Sequence, residues 1–149
     1  MTSEFDELQE LIMADIRKVY SETTIDHFMN PRNLGDMADA SGFARVTGSC
    51  GDTMEMWLKV KDGIVAEATF LTDGCGTSIA SGSMATELAK GRGIPEVLKI
   101  SQQDVLKALG GLPEESAHCA LLAANTLKEA IKDYITFKNE PWKRAYRNH

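Results

Sequence analysis

Basic residues are in deficit in this 149-residue chain: Lys and Arg number 16 against 22 Asp and Glu, a formal net charge of −6. A surface of that sign repels phosphate backbones, so nonspecific nucleic-acid binding is excluded as a function class. No apolar run approaches the roughly 20 residues that a membrane-spanning helix needs, so no membrane role is expected. The first residues, Met1 to Glu7, are acidic and lack the basic stretch of a secretory signal. Repeats and low-complexity tracts are missing too. Cysteine is scarce: there are three, an odd number, with no CxxC pair. That is too few for a disulfide framework at this length and predicts reduced thiols in a cytoplasmic protein. What remains, 43% hydrophobic and 26% charged residues, suits one ordinary domain with a substantial core.

The spacing of apolar residues divides the chain. Leu8, Leu11, Ile12, Ile16, Val19 and Tyr20 recur at helical intervals, and the breaker Asn30-Pro31-Arg32-Asn33-Leu34-Gly35 ends that stretch. Residues 1–19 are expected to be an N-terminal arm or helix extension. A first strand is expected over 43–49. Residues 54–60 alternate, with Met54, Met56, Leu58 and Val60 on one face and Glu55, Trp57 and Lys59 on the other. Asp62-Gly63 predicts a type I′ hairpin turn, and residues 64–71 the returning strand. The remainder reads as helical. One helix runs from Thr77 to Lys90 with Ile79, Ala80, Met84 and Leu88 as its apolar stripe, stopped by Gly91. Pro95 opens a short turn, and Ser101 to Asp104 resembles a capping box before a helix that Gly110-Gly111 stops. Ser116 is the expected N-cap of a last helix carrying Ala123, Leu127, Ala130, Ile131 and Tyr134. Residues 138–149 form a basic tail with Lys143, Arg144 and Arg147. Strands first and helices after predict an α+β fold: a small antiparallel sheet of about three strands with helices packed on one face.

Each cysteine sits at a turn rather than inside an apolar run. Cys50 lies in Gly48-Ser49-Cys50-Gly51-Asp52, Cys75 in Asp73-Gly74-Cys75-Gly76-Thr77, and Cys119 follows His118 near a helix start. A two-residue turn at Asp62-Gly63, extended without a bulge, places Cys50 opposite Cys75 at the open end of the hairpin; a bulge offsets them by one residue. With Ser116 as N-cap, Cys119 falls in the first turn of its helix, where free amides and the helix dipole lower a thiol pKa. Cys75 also precedes a helix start. Asp52 and His118 are the nearest further donors. Three thiolates with one oxygen or nitrogen ligand suit Zn2+ or a pair of bridged irons. A hard carboxylate in the fourth place leaves one iron exchangeable.

Plainer readings compete with each of these. A lone cysteine is most often packing, Gly-Asp is ordinary turn chemistry, and a first-turn His is usually just exposed. Met54, Met56 and Met84 read as core. Cys119 and His118 as a nucleophile–base pair is the weakest reading, because adjacent helical residues point about 100° apart.

The ordered strings His27-Phe28-Met29-Asn30-Pro31-Arg32-Asn33-Leu34-Gly35, Cys50-Gly51-Asp52, Gly74-Cys75-Gly76 with Ile79-Ala80-Ser81 and Ser83-Met84, and Leu112-Pro113 leading to His118-Cys119 resemble the IscU/NifU-type iron–sulfur cluster assembly scaffold family. The resemblance runs from about Tyr20 to Tyr134, so residues 20–137 are taken as the scaffold domain. It implies that Cys50, Cys75 and Cys119 receive iron and persulfide sulfur to build a transient [2Fe-2S] cluster, with no small-molecule turnover. Asp52 and His118 are implied as alternative ligands, Zn2+ as another occupant of the same site, and Cys119 is taken as the first persulfide acceptor. The implied partners are a cysteine desulfurase, an iron donor or frataxin-like protein, and acceptor apoproteins and carriers. One departure stands out. Leu112-Pro113-Glu114-Glu115-Ser116-Ala117-His118 lacks the Leu-Pro-Pro-Val-Lys string that a dedicated Hsp70-type chaperone recognises, and lacks a lysine two places before the His. Chaperone-driven release by that route is therefore not expected. The competing function is a small zinc-binding regulatory or structural module acting on a desulfurase.

Overall fold

The computed structural model describes residues 3–142; the basic residues Lys143, Arg144 and Arg147 of the tail lie outside that range. The architecture is the α+β one expected: a three-stranded antiparallel sheet with helices packed against it. Strands β1 (Gly42–Thr47), β2 (Thr53–Lys61) and β3 (Ile64–Thr72) lie in chain order, so each neighbour is reached by a short connection. Helices α1 (Glu4–Val19) and α2 (Glu22–Met29) precede the sheet; α3 (Gly76–Ala89), α4 (Ile94–Val97), α5 (Gln102–Leu109) and α6 (Ala117–Asn139) follow it.

The β2–β3 hairpin turns at Asp62 and Gly63, with φ of +54° and +75°, the left-handed pair that the sequence predicts. Beyond the turn the register slips. Val60 pairs with Val65 but Lys59 pairs with Glu67, so Ala66 is an extra residue on β3. The inward parity of β3 changes there: Val65 is buried before the bulge, Ala68 and Phe70 after it. On β2, Met54, Met56 and Leu58 are fully buried, as their alternation requires. These side chains meet α3 and α6 in one continuous core.

Helix α3 departs from its expected single stripe. Thr77, Ser78, Ala80, Ser81, Gly82, Ser83, Met84, Ala85, Thr86 and Ala89 are all buried, so the helix is covered nearly all round. Its small residues allow that, because α2, α5, α6 and β3 all close on it. The first helical stretch is two helices rather than one. Ser21 caps α2 by accepting from Thr24 N–H at 3.0 Å, and the Thr24 hydroxyl reaches the Leu109 carbonyl at 3.0 Å. Helix α1 carries its own capping box, Ser3 with Asp6, and buries none of its side chains. The capping box at Ser101 and Asp104 forms as expected.

The Asn30–Gly35 breaker has a structural task. Asn33 takes φ of +63°, and its side-chain amide donates to Thr86 Oγ1 at 3.1 Å and Glu87 Oε1 at 2.9 Å. Ser83 Oγ accepts from Arg32 N–H at 2.9 Å and lies 2.7 Å from buried His27 Nδ1. Phe70 N–H donates to the Asn33 carbonyl and Gly35 N–H to the Phe70 carbonyl. The loop thus clamps α3 to β3, and α3 is the element that presents Cys75.

Candidate functional site

The site forms where three connections meet: the β1–β2 turn, the β3–α3 junction and the start of α6. The β1–β2 turn is tight. Gly48 N–H donates to the Asp52 carbonyl at 2.8 Å and Gly51 N–H to the Gly48 carbonyl at 3.0 Å, with Gly51 at φ +92°. Cys50 sits exposed at its tip. This corrects the expectation that Cys50 faces Cys75 across an extended ladder. The β2–β3 pairing ends at Met54 and Thr72 after the bulge, and the chain before Thr53 curls into the turn instead. Asp52 likewise lies on the turn, outside the strands.

Two donor groups result, and they share Asp52. Ligand atoms of Asp52, Cys75 and Cys119 lie within 4.8 Å of one another, and so do those of Cys50, Asp52 and His118. All five residues singled out in the sequence are therefore brought to one place, with the carboxylate as the common member. Each set of thiolates with carboxylate or imidazole suits a soft or borderline metal.

The local helix starts differ from each other. Cys75 is itself the N-cap residue of α3, with φ of −78° and ψ of −173°. Its thiol is held below the ordinary value, first by the Thr77 hydroxyl at 3.1 Å and then by the Thr77 and Ser78 amides. Desolvation and the Asp52 charge oppose that shift. Cys119 occupies the third position of α6, as expected, yet its thiol is pushed up. Burial is the main cause, with the neighbouring Cys75 and Cys50 acting in the same sense and hydrogen bonds from Ser78 and Thr77 opposing. The expectation that a helix start lowers both thiols thus holds for Cys75 and fails for Cys119, which is only 1% exposed. Ser116 precedes α6 at the end of a short 3-10 turn and makes no side-chain cap. The His118 ring does reach its neighbour, with Nε2 at 3.7 Å from Cys119 Sγ.

These environments predict unequal reactivity. At neutral pH, iodoacetamide is expected to alkylate Cys75 at least about tenfold faster than Cys119, because thiolate fraction and access both favour it. The rate at Cys75 levels off at a lower pH than that at Cys119. Mass mapping of a time course checks this; equal rates in the folded protein would show the two environments to be wrong, and denaturant is expected to erase the difference.

Two side chains missed in the sequence complete the site. Thr77 Oγ1 lies 3.1 Å from Cys75 Sγ and 3.3 Å from Cys119 Sγ. Ser78 Oγ donates toward Asp52 Oδ2 at 3.1 Å and Cys119 Sγ at 3.4 Å. The available signal was their place in the first turn of the helix that Cys75 opens, where hydroxyls point back toward the N-cap. On its other side Cys75 borders an apolar hollow of about 250 Å³ lined by Ile16, Tyr20, Ile25 and Phe28.

Fold and site together define a class: a small α+β domain that gathers three cysteines, an aspartate and a histidine at the meeting of a hairpin and two helix starts. The family model for the NifU-like N-terminal domain matches residues 19–140, and the chain belongs to that IscU/NifU-type family. It is 50% identical over 118 residues to iron-sulfur cluster assembly scaffold protein IscU 1 of Archaeoglobus fulgidus, covering 78% of this chain and 77% of that protein. It is 45% identical over 139 residues to iron sulfur cluster assembly protein 1 of Encephalitozoon cuniculi, covering 90% and 96% respectively. Among solved structures, the N-terminal NifU-like protein of Brucella abortus superposes with a TM-score of 0.64 over 80% of this chain and 96% of that one; at 22% identity this bears on the fold. Among the described residues, no helix is long and apolar enough to cross a membrane.

Proposed function

We propose that this chain is a scaffold on which [2Fe-2S] clusters are built from iron and persulfide sulfur and then passed to acceptor apoproteins. The observation that carries this reading is the convergence of Asp52, Cys75 and Cys119 within 4.8 Å, with Cys50 and His118 joined to them through Asp52. Residues 20–137 carry the scaffold, residues 1–19 extend it, and 138–149 form a tail. Cys50, Cys75 and Cys119 hold the cluster. Asp52 is a labile fourth donor, and His118 is the ligand that replaces it. The cluster is cargo, so the chain turns over no small substrate of its own. Zn2+ suits the same donors. Sulfur comes from a cysteine desulfurase and iron from a donor of the frataxin kind, and carriers take the product. With Glu114 and Glu115 after Leu112-Pro113, an Hsp70-type chaperone is not expected to drive release. Three free thiols suit the reducing cytoplasm.

The test is anaerobic reconstitution with ferrous iron, cysteine, a desulfurase and a thiol reductant. Visible sulfur-to-iron charge-transfer bands are expected, with equal amounts of iron and acid-labile sulfide, followed by transfer to an apo-ferredoxin. Tight, non-exchangeable zinc with no cluster would instead make the chain a zinc-binding module.

A further inference from the structure

Ser78 touches two of the site's donors although its sequence neighbourhood does not single it out. We infer that Ser78 is a positioning residue that holds Asp52 at the site and so governs how readily Asp52 serves as the fourth donor. This deepens the reading of Asp52 given above and rests on it.

Asp52 stands on a turn, and turns are the mobile parts of a fold. Ser78 is fully buried in α3, a helix enclosed on nearly every side. The 3.1 Å hydrogen bond from Ser78 Oγ to Asp52 Oδ2 therefore ties a turn carboxylate to a rigid element. A hydroxyl has one proton to give. Cys119 Sγ is the other candidate acceptor at 3.4 Å, but an ionised carboxylate accepts more strongly than sulfur and is closer. The balance favours Asp52.

Gly74 supplies an independent observation. It is not among the glycines with left-handed φ, so its backbone makes no demand for glycine. A Cβ there would lie 2.6 Å from Ser78 Cβ and 2.8 Å from Asp52 Oδ2, closer than side chains approach. The missing side chain at 74 is what leaves room for Ser78 and Asp52 to meet. His118 shares the donor group of Asp52 and Cys50. An untethered Asp52 therefore yields its place to the imidazole.

The experiment uses Co2+ as a spectroscopic probe and loss of the cluster to a chelator as a rate. Asp52→Ala is expected to shift the cobalt d–d and thiolate charge-transfer bands as nitrogen replaces oxygen. Ser78→Ala should give a spectrum between wild type and Asp52→Ala. It should slow cluster loss about fivefold, the factor that about 1 kcal/mol of lost hydrogen bonding carries. In the Asp52→Ala background, Ser78→Ala should add nothing, since it acts through the residue already removed. Gly74→Ala displaces Ser78 without deleting its hydroxyl and should move both readouts the same way, with melting curves reporting that each variant is folded. A wild-type spectrum and rate for both Ser78→Ala and Gly74→Ala, with Asp52→Ala shifted, overturns the role of Ser78 alone. An undiminished Ser78→Ala effect in the double variant also overturns it, by placing the action at Cys119. If Asp52→Ala itself changes nothing, the reading of Asp52 falls and takes this one with it.

Discussion

Asp52→Ala is expected to slow loss of a [2Fe-2S] cluster to a chelator or an acceptor protein by about tenfold or more, the scale on which changes at and around metal ligands act. Removing a ligand would ordinarily loosen a metal. Here the reverse is expected, for two reasons visible in the structure. A carboxylate is a hard donor and binds an iron softened by thiolate and sulfide less firmly than imidazole or thiolate does. And the vacated place has a successor: His118 lies within 4.8 Å of Cys50 and Asp52 donor atoms. Its ring nitrogen is therefore a donor already beside the lost oxygen. The measurement is the decay of visible absorption after chelator is added to reconstituted wild-type and variant proteins. Loss as fast as wild type, or faster, would sink the account of Asp52 as the labile donor. The double variant Asp52→Ala, His118→Ala should lose the slowing, because the replacement donor is gone.

Local signals made much of this molecule legible in advance. Asp62-Gly63 specified the hairpin because two left-handed residues can be met in few other ways. The alternation of Met54, Met56 and Leu58 gave the buried face of β2 directly. The capping box at Ser101 and Asp104 was equally local. The five donor residues were legible through motif and resemblance, not through spacing alone. What stayed hidden is non-local. No turn residue marks the bulge at Ala66, and it defeats any register counted from the turn. The pKa of Cys119 follows from what buries it, not from its place in the helix: a first-turn position argues for a low value, but desolvation outweighs it. Thr77 and Ser78 were unremarkable in sequence because their importance lies in Cys119 and Asp52 arriving opposite them from distant parts of the chain.

Cys119 is expected to be where persulfide sulfur accumulates, despite its raised pKa and burial. The transfer step is attack by the Cys119 thiolate on the outer sulfur of the donor's persulfide; the donor's thiolate leaves, and the new sulfur stays on Cys119. The thiol must first lose its proton, which burial opposes. Transfer should therefore keep rising with pH beyond the point at which alkylation of Cys75 has levelled off, because the folded-state pKa of Cys119 lies above the ordinary thiol value and that of Cys75 below it. Exposure argues for Cys75 as the faster target of a small electrophile, but sulfur left on an exposed thiol is open to exchange with thiols in solution. On Cys119 the transferred sulfur is shielded, because that side chain is only 1% exposed, and the Thr77 hydroxyl lies 3.3 Å from the Sγ that carries it. After incubation with a desulfurase, cysteine and a thiol reductant, peptide mapping is expected to find the persulfide on the Cys119 peptide. Cys119→Ser should abolish it, and Cys50→Ser and Cys75→Ser should retain most of it. Persulfide confined to Cys50 or Cys75, or undiminished in Cys119→Ser, would assign the acceptor to a thiol at the rim and leave Cys119 as a ligand only.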